Sequence, residues 1–260
     1  MNVNYVAVFD NNPNSGVTKK IISQVDELKK LGISVLLVLI CREPPVPSWT
    51  NDTFIERAST PPFLSFAEKI KFAVQYSRII SRYVDRGDIL YVRGIVASPL
   101  TPFLLRKKRN TAIVYELQGI SENEAKLRGS RMGYVLAKLL HKYLLRNARG
   151  IVGVTEEVTH HYAEIAGQKG MRVLTNPNGI DVDAVRLRII PSFDGQTLDL
   201  LCVARVAKWH GLDRIIKGIS EYKGRVNVRF HVVGDGSEIP NLKSLVADLK
   251  LENSVVFHGF

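Results

Sequence analysis

Cysteine is nearly missing from this sequence. Cys41 and Cys202 are the only two in 260 residues, and each sits at the end of an apolar run. Two thiols build no disulfide framework, so a stapled secreted domain is excluded and both read as reduced core cysteines of a cytosolic protein. Long apolar runs are missing as well. The longest, ISVLLVLIC (Ile33 to Cys41), is far short of the roughly 20 residues needed to span a bilayer. The first run, VNYVAVF, has no basic leader and breaks at Asp10, so no targeting segment is expected. Low-complexity tracts and short repeats are also absent. The expected location is cytoplasmic, with any membrane work done peripherally, from the inner face.

The third shortage is local. Residues 61–150 carry 17 Lys and Arg against 6 Asp and Glu, which accounts for the whole net charge of +11; residues 1–60 and 151–260 are balanced. One basic region on an otherwise neutral chain marks an interaction surface.

What is present is a regular alternation. With 45% apolar residues the chain has enough to build real cores. VNYVAVF and ISVLLVLI read as buried strands, and SGVTKKIISQVDELKKLG between them as a helix with Val17, Ile21, Val25 and Leu28 on one face and Gly32 at its C-terminus. Residues 42–62 hold five of the eleven prolines and no periodicity, which predicts a loop. The pattern continues as helix FAEKIKFAVQYSRIISRYV, strand DILYVR, helix SPLTPFLLRKKR, strand TAIVYELQ, a long helix NEAKLRGSRMGYVLAKLLHKYLLRNA, strand GIVGVT, helix EEVTHHYAEIA and strand RVLTN. This predicts a doubly wound parallel α/β domain over 1–180. A turn-rich linker, 181–196, interrupts the alternation. It restarts over 197–260 with three strands, the first a buried TLDLLCVA, and two helices. Three strands are about half of such a domain, so the second domain is expected to be only partly present, with the natural chain running past Phe260.

In open α/β sheets ligands sit at the C-terminal ends of strands, so the strand-to-helix turns carry the chemistry. Ser15 and Gly16 open the first helix, where free N–H groups and an absent side chain suit an anion; an ordinary loop with a capping Ser fits equally. DILYVR ends on Arg93, and TAIVYELQ brings Glu116 and Gln118 to the same edge, where the Glu is either functional or structural. In LLCVARVAKWHGLDRII, Arg205, Lys208 and His210 gather at a strand tip, and Gly211 opens the next helix. Cations beside a helix N-terminus suit a diphosphate, while Lys208 and His210 read alone are solvated loop residues. Gly234-Asp235-Gly236 forms a tight turn, near a ligand or merely a turn.

Taken in order, these stretches resemble the family 4, or group 1, glycosyltransferases of the GT-B fold. The shared pieces are SGVTKKIISQVDELKKLG, VTEEV with VLTNPNGID, and VARVAKWHGLDRII with VNVRFHVVGDGSEIPNLKSLVADLKLENSVVFHG, nearly end to end. The resemblance implies two Rossmann-like domains across a cleft, an N-terminal one for the acceptor and a C-terminal one for a nucleotide-sugar. It implies transfer with retention and no cofactor or metal, the nucleotide-diphosphate sugar being the donor substrate with its base unassigned. Arg205 with Lys208 or His210 would stabilise the leaving diphosphate and form the catalytic set. Ser15, Gly16, Gly211, Gly234, Asp235, Gly236, Gly259 and Phe260 would line the donor, and Arg93, Glu116 and Gln118 the acceptor side. The sequence departs from the family at three places. His210 stands where a Lys usually precedes the Gly of the phosphate turn, so either His210 itself or Lys208, two residues earlier, takes its place. Gln118 stands where many members have His, and an amide cannot act as a base. The family's two Glu seven residues apart lie beyond Phe260.

The basic region has its own pattern. Lys71, Arg78, Arg82 and Arg86 recur at helical spacing, as do Arg131, Lys138, Lys142 and Arg149, and Arg106, Lys107, Lys108 and Arg109 form a run. Their opposite faces, Ile70, Ala73, Ile80 and Val84 and then Val135, Leu136, Leu139 and Leu140, are expected to pack on the sheet. The stripes suit an anionic membrane surface or a solvated face, and lack the interleaved aromatics of a nucleic-acid module, so no nucleic-acid partner is expected. The expected activity is transfer of a sugar to a glycan or lipid-linked acceptor in bacterial surface polysaccharide synthesis, with little turnover by this chain alone. The alternatives are a nucleotide-sugar epimerase of the same fold and a non-catalytic, membrane-docking basic module.

Overall fold

A computed structural model describes residues 1–9, 15–42, 53–60, 65–96, 98, 100–105, 111–122, 131–167, 170–180, 182, 193 and 195–259. Arg106, Lys107, Lys108 and Arg109, the expected start of the long helix at 123–130, and Phe260 lie outside them. The chain divides into two compact units, Met1–Ile180 and Asp181–Phe260.

The first unit runs β1 (Asn2–Val8), α1 (Gly16–Lys30), β2 (Ser34–Cys41), β3 (Thr53–Arg57), α2 (Phe66–Tyr83), β4 (Ile89–Arg93), α3 (Leu100–Leu105), β5 (Ala112–Leu117), α4 (Arg131–Leu145), β6 (Gly150–Gly153), α5 (Glu156–Ala166) and β7 (Arg172–Thr175). Its seven strands lie in the order β3-β2-β1-β4-β5-β6-β7, all parallel. The chain starts mid-sheet and winds outward both ways, so the strand order reverses between β1 and β4. In open parallel sheets, ligands bind at the C-terminal ends of the strands beside such a reversal.

The pleat explains why β1 and β2 are apolar throughout. Tyr5, Ala7, Leu37 and Leu39 join Ile21 and Val25 of α1 in one core, while Val6, Val38 and Ile40 join Ile79 and Ile80 of α2 in the other. Local chemistry fixes the helix starts. Ser65 and Glu68 form a reciprocal capping box on α2, and Thr155 caps α5.

Four expectations are corrected here. Residues 53–57 form β3, paired with Leu37–Cys41 of β2, rather than loop. Lying at the sheet edge, β3 leaves Phe54 and Ile55 exposed, so it shows no inside-outside alternation. The buried face of α1 starts at Thr18, and Val17 is exposed. On α2, Ile80 and Val84 are buried as expected but Ile70 is exposed. On α4 it is His141, Leu144 and Leu145 that face inward, while Val135, Leu136 and Leu139 are exposed and Leu140 is half-buried.

The second unit runs β8 (Thr197–Val203), a short 3-10 turn (Lys208–His210), α6 (Leu212–Glu221), β9 (Asn227–Val233), α7 (Ile239–Asp248) and β10 (Val255–Gly259). The three strands are parallel in the order β10-β9-β8. Phe230, Val232 and Val255 pack with Leu212 and Ile216 of α6 and Leu242 and Val246 of α7. Among the described residues, nothing covers the other face. Asp199, Leu201 and Val203 of β8 are exposed there, so β8 is not the buried strand its composition predicts, and Cys202 is half-buried. His231 bridges Asp199 (3.1 Å) and His258 (3.0 Å) on that open face.

Candidate functional site

In the first unit, chemistry-bearing side chains converge where the strand order reverses. Arg93 ends β4 and lies in register with Glu116 of β5. Glu116 is buried at 1% exposure, with Lys20 Nζ of α1 3.0 Å from Oε1 and Arg93 Nε 3.7 Å from it. The Tyr91 hydroxyl donates to Oε2 at 2.8 Å, and the Gln118 amide donates to Oε1. Arg93 donates to Gln118 Oε1 at 3.2 Å, and Lys20 reaches Asn178 Oδ1 at 2.6 Å. Tyr5 stacks on Tyr91 with ring centres 5.0 Å apart.

Burial pushes the Glu116 carboxyl up. Hydrogen bonds from Lys20 and Tyr91, with the charges of Lys20 and Arg93, outweigh that and hold it below the usual carboxylate range. Burial first, then this carboxylate, pushes the Tyr5 and Tyr91 hydroxyls up. An ionised carboxylate with its lone pairs committed to Lys20, Tyr91 and Gln118 orients its neighbours. Two cations face this one carboxylate, and Arg93 Nε is buried without a hydrogen-bond partner among the described residues.

The structure thus brings together Arg93, Glu116 and Gln118, all three named from sequence. It adds Lys20, Tyr91 and Asn178, which sequence reasoning missed. The loop after β5 is held by a further group that it also missed. Glu122 is fully buried, 2.7 Å from His141 Nδ1 of α4, 3.1 Å from the Tyr162 hydroxyl and 3.5 Å from His161 Nε2 of α5. Burial raises the Glu122 carboxyl, but hydrogen bonding to His141 and to backbone outweighs it and takes it to about 2. Tyr162 OH also accepts from the Ser121 N–H at 3.2 Å.

Ser15 is the N-cap of α1, its hydroxyl accepting from the Thr18 N–H at 3.1 Å. Beside it Gly16 has open space: a Cβ there would meet nothing within 4 Å. Among the described residues, no packing contact requires glycine at this position.

In the second unit, three strand tips are bound together. The Val206 N–H donates to Asp235 O at 2.9 Å and the Gly234 N–H to Gly259 O at 2.6 Å. Gly234 has φ +119°, and a Cβ on it would lie 2.0 Å from Ala204 O; a Cβ on Gly236 would lie 2.0 Å from Val206 O. The turn at Gly234-Asp235-Gly236 therefore packs directly on the backbone that carries Arg205, and Asp235 Oδ1 accepts from the Gly236 N–H at 2.7 Å.

Arg205, Lys208 and His210 are all exposed, as is Trp209. Among the described residues, Arg205 and Lys208 have no carboxylate partner. His210 is used locally. Its Nδ1 lies 3.0 Å from the Ala207 N–H, which donates to it in the neutral ring, and 3.2 Å from Ala207 O. Gly211, at φ +65°, turns the chain into α6, whose first N–H groups have no side-chain cap. The tip therefore offers two uncompensated cations next to an uncapped helix start, with the imidazole fixing the turn between them.

Residues 14–184 match the family model described as Glycosyltransferase Family 4, and residues 186–260 match the one described as Glycosyl transferases group 1. No curated protein matches the sequence. Among solved structures, the chain is similar to the lipopolysaccharide outer core galactosyltransferase WaaB in its apo form, at 15% identity and TM-score 0.64, covering 100% of this chain and 68% of that one. It is similar to Anabaena HepE in complex with UDP, at 15% identity and TM-score 0.63, covering 100% and 69%. It is also similar to sucrose-phosphate synthase from Thermosynechococcus elongatus, at 14% identity and TM-score 0.70, covering 98% and 70%. At these identities the likeness establishes the fold, two Rossmann-like parallel-sheet units of the GT-B type.

Proposed function

Since the chain belongs to glycosyltransferase family 4, with a group 1 glycosyl transferase segment following, we propose that it moves a sugar, with retention, from a nucleoside diphosphate to a glycan or lipid-linked acceptor. The observation that carries the donor side is the strand tip of the second unit. Arg205 and Lys208 stand there without carboxylate partners among the described residues, at the open N-terminus of α6.

Breaking the sugar–phosphate bond puts negative charge on the departing diphosphate. Fixed cations and N–H groups at that point stabilise the transition state more than the ground state. Charge-assisted contacts supply most of this, because a helix end contributes only about 0.3–1 kcal/mol. His210, tied to the Ala207 N–H, shapes the turn and leaves Lys208 as the second cation. Gly236, packed on Val206, keeps the neighbouring turn close to the same spot. At the start of α1 the Gly16 backbone is open on the side where a Cβ would stand, which suits close approach of an anion. On the acceptor side, Arg93 and Gln118 present donors to a sugar hydroxyl or an anionic group, with Glu116 and Lys20 holding them in place.

Similar structures support the reading in part. HepE is described in complex with UDP, which favours a nucleoside diphosphate, and WaaB is named for lipopolysaccharide, which favours surface polysaccharide synthesis. No observation favours the epimerase or non-catalytic alternatives.

The test is calorimetric titration of UDP, GDP and ADP into the chain and into Arg205→Ala. At least one nucleotide should bind, and loss of one charge-assisted contact of about 1.5–3 kcal/mol should weaken it by roughly ten- to a hundredfold. Equal affinity of the two proteins would remove Arg205 from the donor site.

A further inference from the structure

The exposed face of α4 is a feature that the transfer site does not use. Met132, Val135, Leu136, Leu139 and Tyr143 are between 42% and 83% exposed. At 100° per residue they fall within about 100° of arc, one continuous stripe about 20 Å long. The opposite arc, with His141, Leu144 and Leu145, is buried against the unit. Between the two lies a third arc, made of Arg131, Lys138 and Lys142, all exposed.

The stripe is not isolated. Helix α3 touches α4 and exposes Phe103 at 65%. A soluble surface scatters its exposed apolar side chains singly, and a contiguous helix face with a cationic border calls for a partner that is apolar in depth and anionic at its surface.

We propose that α4 is an interfacial anchor, lying flat on an anionic lipid surface. The stripe enters the boundary between headgroups and acyl chains. The cationic arc runs along the headgroup phosphates, and Phe103 of α3 enters beside it. Charge complementarity selects lipid over a second copy of this chain. The stripe is bordered by like charges that two copies would bring together, and the surrounding 61–150 region carries the whole net charge of +11. The 15-residue helix does not cross the bilayer, and no helix among the described residues is long and apolar enough to do so. Binding by α4 needs neither donor nor acceptor, so the inference stands apart from the transfer reading.

The test is co-sedimentation of the full chain with vesicles of phosphatidylcholine alone and of phosphatidylcholine with phosphatidylglycerol. Binding to the anionic vesicles should exceed that to neutral ones by roughly fivefold for each engaged cation at low salt. A part of it should survive about 0.5 M salt, where exposed charges are screened but apolar contact is not. Leu136→Ser with Leu139→Ser removes exposed side chains only, so the melting curve should not move, while the salt-resistant part falls at least tenfold. Lys138→Ala with Lys142→Ala should instead lower only the low-salt part. Equal sedimentation with neutral and anionic vesicles, or equal binding by the leucine variant and the parent, overturns the proposal. A dimer in light scattering that the leucine variant dissolves also overturns it, and assigns the face to a second copy.

Discussion

Single atoms decide most at Gly234. A Cβ there would sit 2.0 Å from the Ala204 carbonyl oxygen, and φ of +119° is unfavourable for any other residue. Gly234→Ala should therefore cost at least about 3 kcal/mol and lower the melting temperature of the second unit by calorimetry. Gly16 makes the opposite case. It has open space and no special φ, so Gly16→Ala should leave the melting curve within about 0.5 kcal/mol of the parent. If a substrate anion approaches this backbone, the same change should lower transfer by tenfold or more; unchanged transfer would leave Gly16 without a role. Both glycines were visible in the sequence as turn residues, but the sequence could not separate a glycine required by packing from one that packing leaves free. The acceptor-side residues show a related limit. Arg93, Glu116 and Gln118 end adjacent strands and could be read from the strand pattern. Lys20 and Asn178 could not, because they meet across 158 positions and only the wound sheet brings them together.

At the scale of elements, β5 and helices α4 and α5 are joined through Glu122. Its carboxyl is held near 2, below the value of about 4.3 for an unfolded chain. A depressed folded-state value means that the stabilisation is present above the unfolded value and is lost as pH falls towards 2. It amounts to about 2–3 kcal/mol by linkage. Melting temperature should therefore drop steeply between about pH 4.5 and pH 3 in the parent and less in Glu122→Gln, which should also be less stable near neutral pH. Parallel melting curves for the two proteins across that range would show that Glu122 contributes no charge-linked stability. Nothing in the sequence marked this group, since His141 sits in an apolar helix pattern and Glu122 in a loop. The long strands and helices were legible because both faces of the central sheet are covered, so their composition carries the signal. The misread elements are those with one face open. Strand β3 lies at the sheet edge, and α4 turns an apolar stripe outward that periodicity alone assigns to the core.

For the whole molecule, the two units differ in how completely their sheets are covered. The first has helices and two cores on either side of seven strands; the second, among the described residues, has eight buried core residues on one face of three. Expressed alone, residues 1–180 should unfold in one cooperative transition, while residues 181–260 should bind a hydrophobic dye through the open face carrying Leu201 and Val203. A non-cooperative melt of the first fragment would show that it depends on the second. The same division has a practical side. Each unit holds one thiol, and the two differ in access. Cys41 is fully buried, and burial pushes its thiol up against a smaller opposing effect of Arg57, whereas Cys202 is half-buried. A maleimide dye should therefore modify Cys202 first, three positions before Arg205. The unaltered chain would then carry one fluorescent reporter beside the strand tip assigned to the nucleotide, with Cys41 silent, and donor binding could be followed by its emission in real time.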